Sequence, residues 1–271
     1  MPCVGNRMNA ATHASRIAAS AASTAARVVA WLALAVALLL SGPLLTLAFG
    51  NVSIHGNWRT ATHRPTGLAP DPASHPEAIV QAYASRTFGW RGAFAVHTWI
   101  AAKLAHAERY ARYEVIGWYA RDGDSGLTVT DTASPDAEWY GARPYLIRDL
   151  RGPAAEAVIA RLRDTAPMYP YTGYRAWPGP NSNTFVAWIA REIPEFELAL
   201  PALAIGKDYV PANQWLVPAP SGTGWQLSLG GILGVTLARV EGFELNLFGL
   251  VAGLDFQRPA LKLPGVGRVP A

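Results

Sequence analysis

Two short stretches of the chain combine residue types that can do chemistry. His97 lies in Arg91–Ala102 (RGAFAVHTWIAA), whose aromatic and β-branched residues predict a strand. Alternation there puts His97 on the face that also carries Ala95 and Trp99. Asn181-Ser182-Asn183-Thr184-Phe185 lies at a strand-to-helix junction. The free backbone N–H groups and the dipole of a helix start stabilise negative charge. A nucleophile at such a point, approached by a strand-borne histidine as base, is equipped for acyl transfer. In that reading Ser182 attacks, His97 takes its proton, and N–H groups near Asn183 hold the oxyanion. The competing reading makes Ser182 or Asn183 an ordinary helix cap and His97 a hydrogen-bonded core residue.

Other patterns fail on inspection. Gly206-Lys207-Asp208 has Pro201 where a phosphate loop needs glycine and Asp208 where it needs Ser or Thr. Gly249–Gly253 spells GxxxG in an apolar run too short for a membrane dimer motif. Pro220-Ser221-Gly222-Thr223-Gly224 lacks the pattern of a nucleophile elbow and reads as a turn. The six histidines include no HExxH spacing, and Cys3 is the only cysteine. Neither a disulfide, a thiolate-built metal site nor a cofactor is therefore expected.

The elements that must position these residues begin after a long apolar segment. From Val28 to Trp58 there is no Asp, Glu, Lys or Arg, and Val28–Gly50 has the ~20-residue length of a membrane helix. Pro43 falls inside it, which a membrane helix tolerates. No acid precedes Asp71, whereas Arg7, Arg16 and Arg27 lie before the span, so residues 1–27 read as a basic cytoplasmic tail. A cleaved signal has a shorter core and an Ala-x-Ala site, which Leu47–Gly50 does not offer, and an organellar transit peptide would carry no full-length span. Residues 51–87, with Pro65, Pro70, Pro72 and Pro76, read as a linker closing on a short helix at Ile79–Arg86. The remainder, 88–271, mixes predicted strands at Tyr113–Tyr119 and Trp139–Ile147 with helices at Pro153–Thr165 and Val186–Ile193. Leu227–Leu237 and Phe243–Leu254 alternate as strands do, giving one α+β domain.

With 51% hydrophobic and 15% charged residues the chain is too apolar to be disordered. The formal charge of +4 comes from the arginines of the first 64 residues, so no basic face is left for nucleic acid. Ten tryptophans are many for 271 residues; most are expected in the core, and some in a groove or at a membrane interface.

Phe94–Ile100 (FAVHTWI), Arg112–Trp118 (RYEVIGW), Trp139–Pro144 (WYGARP), Trp177–Phe185 (WPGPNSNTF), Ala204–Tyr209 (AIGKDY), Ala219–Gly224 (APSGTG) and Arg258–Pro264 (RPALKLP) resemble a bacterial family known as domain of unknown function 3750. The resemblance covers residues 88–268 and implies no activity. His97 followed by alternating apolar residues, with Tyr174 leading into the Asn-Ser-Asn-Thr-Phe junction, also resembles the circularly permuted papain-like proteins of the NlpC and lecithin:retinol acyltransferase type. That resemblance implies a permuted papain-like domain and a third, orienting group on the neighbouring strand, for which Glu114 is the candidate and Tyr113 the second. Ser182 stands where those proteins carry cysteine, a departure that puts catalysis in doubt because an alcohol is far less acidic than a thiol.

The resulting expectation is a bacterial inner-membrane protein with a single span and a periplasmic α+β domain. It acts either as a hydrolase or acyltransferase through Ser182, His97 and Glu114, or as a binding or structural module that has lost the thiol. Asn181, Asn183, Tyr174 and Trp177 are the expected binding residues. Membrane is the expected partner, with peptidoglycan, peptide or lipid as ligand classes and no nucleic acid.

Overall fold

A computed structural model describes residues 5–50, 52, 56–121, 123–211 and 213–270, with side chains from Thr24 onward. Cys3 and the first four residues of the basic tail lie outside the described residues. The chain falls into two compact units, Met1–Ser41 and Gly42–Ala271. The first is the greater part of α1 (Gly5–Phe49), within which Thr24–Phe49 is long and apolar enough to cross a membrane.

The second unit holds two antiparallel sheets. The first has the order β4-β3-β2-β1-β5, from β1 (Ile79–Arg86), β2 (Val96–Lys103), β3 (Ala111–Val115), β4 (Leu127–Thr130) and β5 (Tyr145–Arg151). Ile79–Arg86 is thus a central strand and not the expected short helix, and the domain begins before residue 88. Its sequence carries no alternation because both of its faces are buried. The expected strand at residues 91–102 begins only at Val96, after a 3-10 turn over Gly89–Ala93. Trp139–Pro144 forms a tight bridged loop, and the strand follows it.

One face of this sheet is covered by α2 (Pro153–Thr165) and α3 (Ser182–Glu192). Pro153 opens α2, where its missing N–H costs nothing, and Val158, Ile159 and Leu162 point into the core. The sheet supplies Val80, Ala82, Val96, Ile100, Tyr113 and Val115 to that same core. The opposite face carries Ile79, Tyr83, Trp99 and Ala101 and packs against Leu68 of the Pro-rich segment. That segment is therefore no solvated linker. Asp136 fastens it, accepting Leu68 N at 2.5 Å, Ala69 N at 3.2 Å and Thr66 Oγ1 at 3.1 Å.

The second sheet is a seven-stranded meander: β6 (Leu216–Pro218), β7 (Gly224–Leu229), β8 (Leu233–Ala238), β9 (Gly242–Leu247), β10 (Leu250–Asp255), β11 (Ala260–Leu263) and β12 (Gly267–Val269). Each expected apolar run proves to be a hairpin of two strands, β7–β8 and β9–β10. The faces are inverted relative to an ordinary sheet, which turns its apolar side inward. Gln226, Ser228, Thr236, Glu244 and Asn246 are buried, while Trp225, Leu227, Leu229, Leu233, Val235 and Leu237 point outward and are exposed. The inward face meets α3 through Arg191, which donates to Gln226 Oε1 at 2.5 Å and to Pro218 O at 3.0 Å. At the sheet's far edge, the last turns of α1 pack on the β11–β12 turn. Thr46 Oγ1 donates to Gly265 O at 3.1 Å, and a Cβ on Gly42 would stand 1.9 Å from Pro264 O.

Candidate functional site

β2 turns Val96, Thr98 and Ile100 toward the helices, and His97 and Trp99 toward the other face. β3 likewise turns Tyr113 and Val115 toward the helices, leaving Arg112 and Glu114 beside His97. His97 Nε2 lies 2.8 Å from Glu114 Oε2. Arg112 Nη2 donates to the same oxygen at 2.9 Å, and its Nε stands 2.8 Å from Oε1. All three side chains are nearly inaccessible to solvent. Burial alone would raise the Glu114 pKa, but the His97 hydrogen bond and the Arg112 charge outweigh it and bring it down to about 2. Burial lowers that of His97 despite the opposing pull of Glu114. The carboxylate is thus ionised and can only accept, so the neutral imidazole carries its proton on Nε2.

Rings close the cluster on both sides. His97 stacks on Trp139 at 3.7 Å and 12°, and Trp118 stacks in turn on Trp139 at 5.9 Å. The Arg112 guanidinium lies 4.2 Å from the Trp99 ring centroid, a cation–π distance. Trp99 Nε1 donates to Pro135 O at 2.7 Å, which pins the covering loop over the pair.

Ser182 is the first residue of α3, on the helical side of the sheet. Asn181 is the cap: its Oδ1 accepts the N–H groups of Asn183 at 2.9 Å and Thr184 at 3.1 Å. Thr184 Oγ1 accepts the Asn181 N–H in return, completing a capping box. Asn181 Nδ2 also donates to Ala176 O at 3.1 Å and Ile205 O at 3.0 Å. Asn183 faces β2, accepting from Thr98 Oγ1 at 2.8 Å and donating to Val96 O at 2.9 Å and Ile205 O at 2.7 Å.

The structure brings His97 and Glu114 together, and Ser182 opens the helix that covers the other face of β2. Strand alternation is the physical reason. The helix that carries Ser182 covers the Val96–Thr98 face, and His97 belongs to the other. Asn181 and Asn183 spend their polar atoms on backbone and on Thr98. Tyr174 packs on Gly117, where an added Cβ would meet its ring at 2.8 Å. Trp177 Nε1 donates to Phe248 O at 2.8 Å and so ties its loop to the meander. Two clefts of 320 and 580 Å³ open on this unit, and none of His97, Glu114 or Ser182 lines either.

Sequence reasoning passed over the most heavily charged interior of the molecule. Lys207 Nζ donates to Asp208 Oδ1 at 2.7 Å and to Glu244 Oε2 at 2.6 Å, and Lys262 Nζ donates to Glu244 Oε1 at 2.5 Å. Asn246 Nδ2 adds a bond to Asp208 Oδ2 at 2.8 Å. Burial would lower the Lys207 pKa, but Asp208 and Glu244 outweigh it and hold it above the usual lysine value. The signal that could have found this network was the polar period in β7–β11, where Gln226, Thr236, Glu244 and Lys262 recur on one face. Among the described residues no group of three His, Cys, Asp or Glu is placed to hold a metal.

No curated protein and no solved structure matches the chain, so the papain-like relation gains no support from either. The family model described as "Protein of unknown function (DUF3750)" matches residues 77–209. It starts at β1, ahead of the resemblance read from residue 88, and stops before the meander. By that match, the part of the chain that builds the five-stranded sheet and both of its covering helices belongs to the DUF3750 family.

Proposed function

We propose that the chain is a single-pass membrane-anchored protein whose C-terminal domain is a non-catalytic binding or structural module. One observation carries the choice over an enzyme: His97 gives Nε2 to Glu114 on the sheet face that Ser182 does not share. A base on the opposite sheet face from the helix that carries the nucleophile is not placed to activate it. Glu114 then serves Arg112 and His97 as a buried charge partner, and Asn181 and Asn183 serve as cap and strap of α3. Anchoring is supported by the apolar Thr24–Phe49 segment and by the arginines before it, which favour a cytoplasmic N-terminus and an exported, periplasmic domain. Peptidoglycan, peptide and lipid are the ligand classes this placement offers.

The test uses Ser182→Cys in a Cys3→Ser background, so that one thiol can be titrated with an alkylating reagent. Its pKa is expected to be the same with and without His97→Ala. A thiol well below ~8.5 that rises on removal of His97 would restore the enzyme reading. Anchoring is checked separately: the chain should stay in the membrane fraction through an alkaline carbonate wash and leave it only with detergent.

A further inference from the structure

The outward face of the meander is apolar from edge to edge. One row runs straight across six strands: Trp225 pairs with Leu237, Leu237 with Phe243, Phe243 with Leu254, Leu254 with Leu261, and Leu261 with Val269. The next row joins Leu227, Val235 and Leu245, and the outward positions of the other strands are apolar as well. Trp225 and Leu237 are each 61% exposed. Repacking cannot hide these side chains, because the other side of the sheet is committed to the Lys207–Asp208–Glu244–Lys262 network. At ~4.8 Å between strands and ~3.4 Å per residue, the footprint is about 550 Å², the upper end of what a soluble monomer exposes. Side chains standing out of that plane bring its accessible area near the ~800 Å² that each partner buries in a stable interface.

We infer that this face is the two-fold interface of a homodimer, in which the meanders of two copies pack face to face as a β-sandwich. Area is the first support, since one face suffices for a dimer with no further contact. Chemistry is the second. A face without charge or hydrogen-bonding side chains has nothing with which to select a foreign partner. Its complement is another flat apolar face of the same extent, and a second copy presents one. A surface this apolar resembles a domain core cut in half, as permanent homodimer interfaces do, rather than the mixed surface of a transient contact. Lipid is the weaker cover, because interfacial membrane elements ring their apolar face with free Lys and Arg. Three of the four basic side chains of residues 216–269 are already paired: Arg239 with Glu197, Lys262 with Glu244 and Arg268 with Asp255.

The full-length chain in dodecyl maltoside is passed through gel filtration with light scattering, and the bound detergent is subtracted to count chains per particle. Wild type and Val129→Glu, on exposed β4, are expected to hold two chains, at low and high salt alike because the face carries no charge. Leu237→Glu and Val235→Glu each set a carboxylate against the partner's apolar side chains and are expected to hold one. Both positions are exposed in the single chain, so the fold should tolerate them, which the urea midpoint checks. A second measurement is made in isolated membranes on Leu245→Cys, at the central strand, in a Cys3→Ser background. A bis-maleimide spanning ~10 Å, the distance between packed sheets, should link it into a dimer and should not link Val129→Cys. If a glutamate variant fails to fold, or detergent parts the copies, this link decides. One chain per particle in wild type with no link at Leu245 overturns the inference and assigns the face to lipid or another protein. Two chains that persist in both glutamate variants, or links of equal yield at Leu245 and Val129, assign the contact to another surface and overturn it too.

Discussion

Replacing Glu114 by Gln removes one charge from a site that water does not enter. Arg112 would keep its guanidinium with no carboxylate within reach, and the Gln amide would keep only a neutral hydrogen bond with His97. Breaking a buried ion pair by deleting one partner costs about 3–5 kcal/mol. The Trp99 ring 4.2 Å from the guanidinium offsets part of that, so we expect about 3 kcal/mol. An independent route gives a similar figure. A Glu114 pKa of about 2, against the ordinary 4.5, corresponds to about 3 kcal/mol of stability at neutral pH. Because the folded pKa is the depressed one, this contribution is complete above pH ~4.5 and is lost as pH falls toward 2. His97 acts in the same sense at milder pH: its lowered folded pKa lets the unfolded chain bind the proton first below about 6.5. Urea unfolding of the full chain in detergent, followed by tryptophan fluorescence at pH 7 and pH 3, measures both effects. Wild type should lose about 2 kcal/mol more than Glu114→Gln between the two pH values. A loss below about 1 kcal/mol at pH 7, or an equal acid response in the two proteins, would refute the picture of an ionised, charge-paired Glu114.

Asn181→Ala should cost about 2 kcal/mol, since it removes a helix cap together with two buried amide bonds; the same unfolding assay reads it. Thr98→Val should cost about 1 kcal/mol by removing the donor to Asn183 Oδ1, and it should leave the His97 environment unchanged in the imidazole NMR signals. Lys207→Met leaves Asp208 and Glu244 without their shared cation, at about 3 kcal/mol near neutrality. That deficit should shrink toward pH 4, where a carboxylate left without its cation takes up a proton. A deficit independent of pH would deny the charge origin.

Some of this was legible in the residues. Pro153 and the Val158–Ile159–Leu162 face marked α2, and Asn181-Ser182 marked the start of α3 within a few residues. Alternation placed His97 with Trp99 and away from its neighbours, which the rings confirm. What the period of a strand does not carry is which face a later helix will cover. Val96 and Thr98 were as good a floor for α3 as His97 and Trp99, and only tertiary packing decided between them. β1 was misread for a related reason: a strand buried on both sides has no polar period, and IVQAYASR then looks as helical as extended. In the meander the alternation was visible, but its sense was not. Ordinary patterning would have sent the leucines inward and the glutamate outward.

The order in which the strands pair bears on how the chain acquires its shape. In the meander every strand pairs with its immediate successor, through turns of a few residues, from β6 to β12. The five-stranded sheet instead needs β5 to find β1 across some sixty intervening residues. Local pairings close small loops and form fast, whereas distant ones first lose the entropy of the larger loop. Yet β1 to β5 leave the ribosome earlier, and the Lys207–Asp208 pair that the meander's inward face requires is supplied by the segment just before it. The late-synthesised half is thus the quicker to pair, while Glu244, which meets Lys262 within the meander, finds its second cation, Lys207, only in the segment that precedes it. The meander therefore acts less as an independent module than as a lid that sets once its seat has formed.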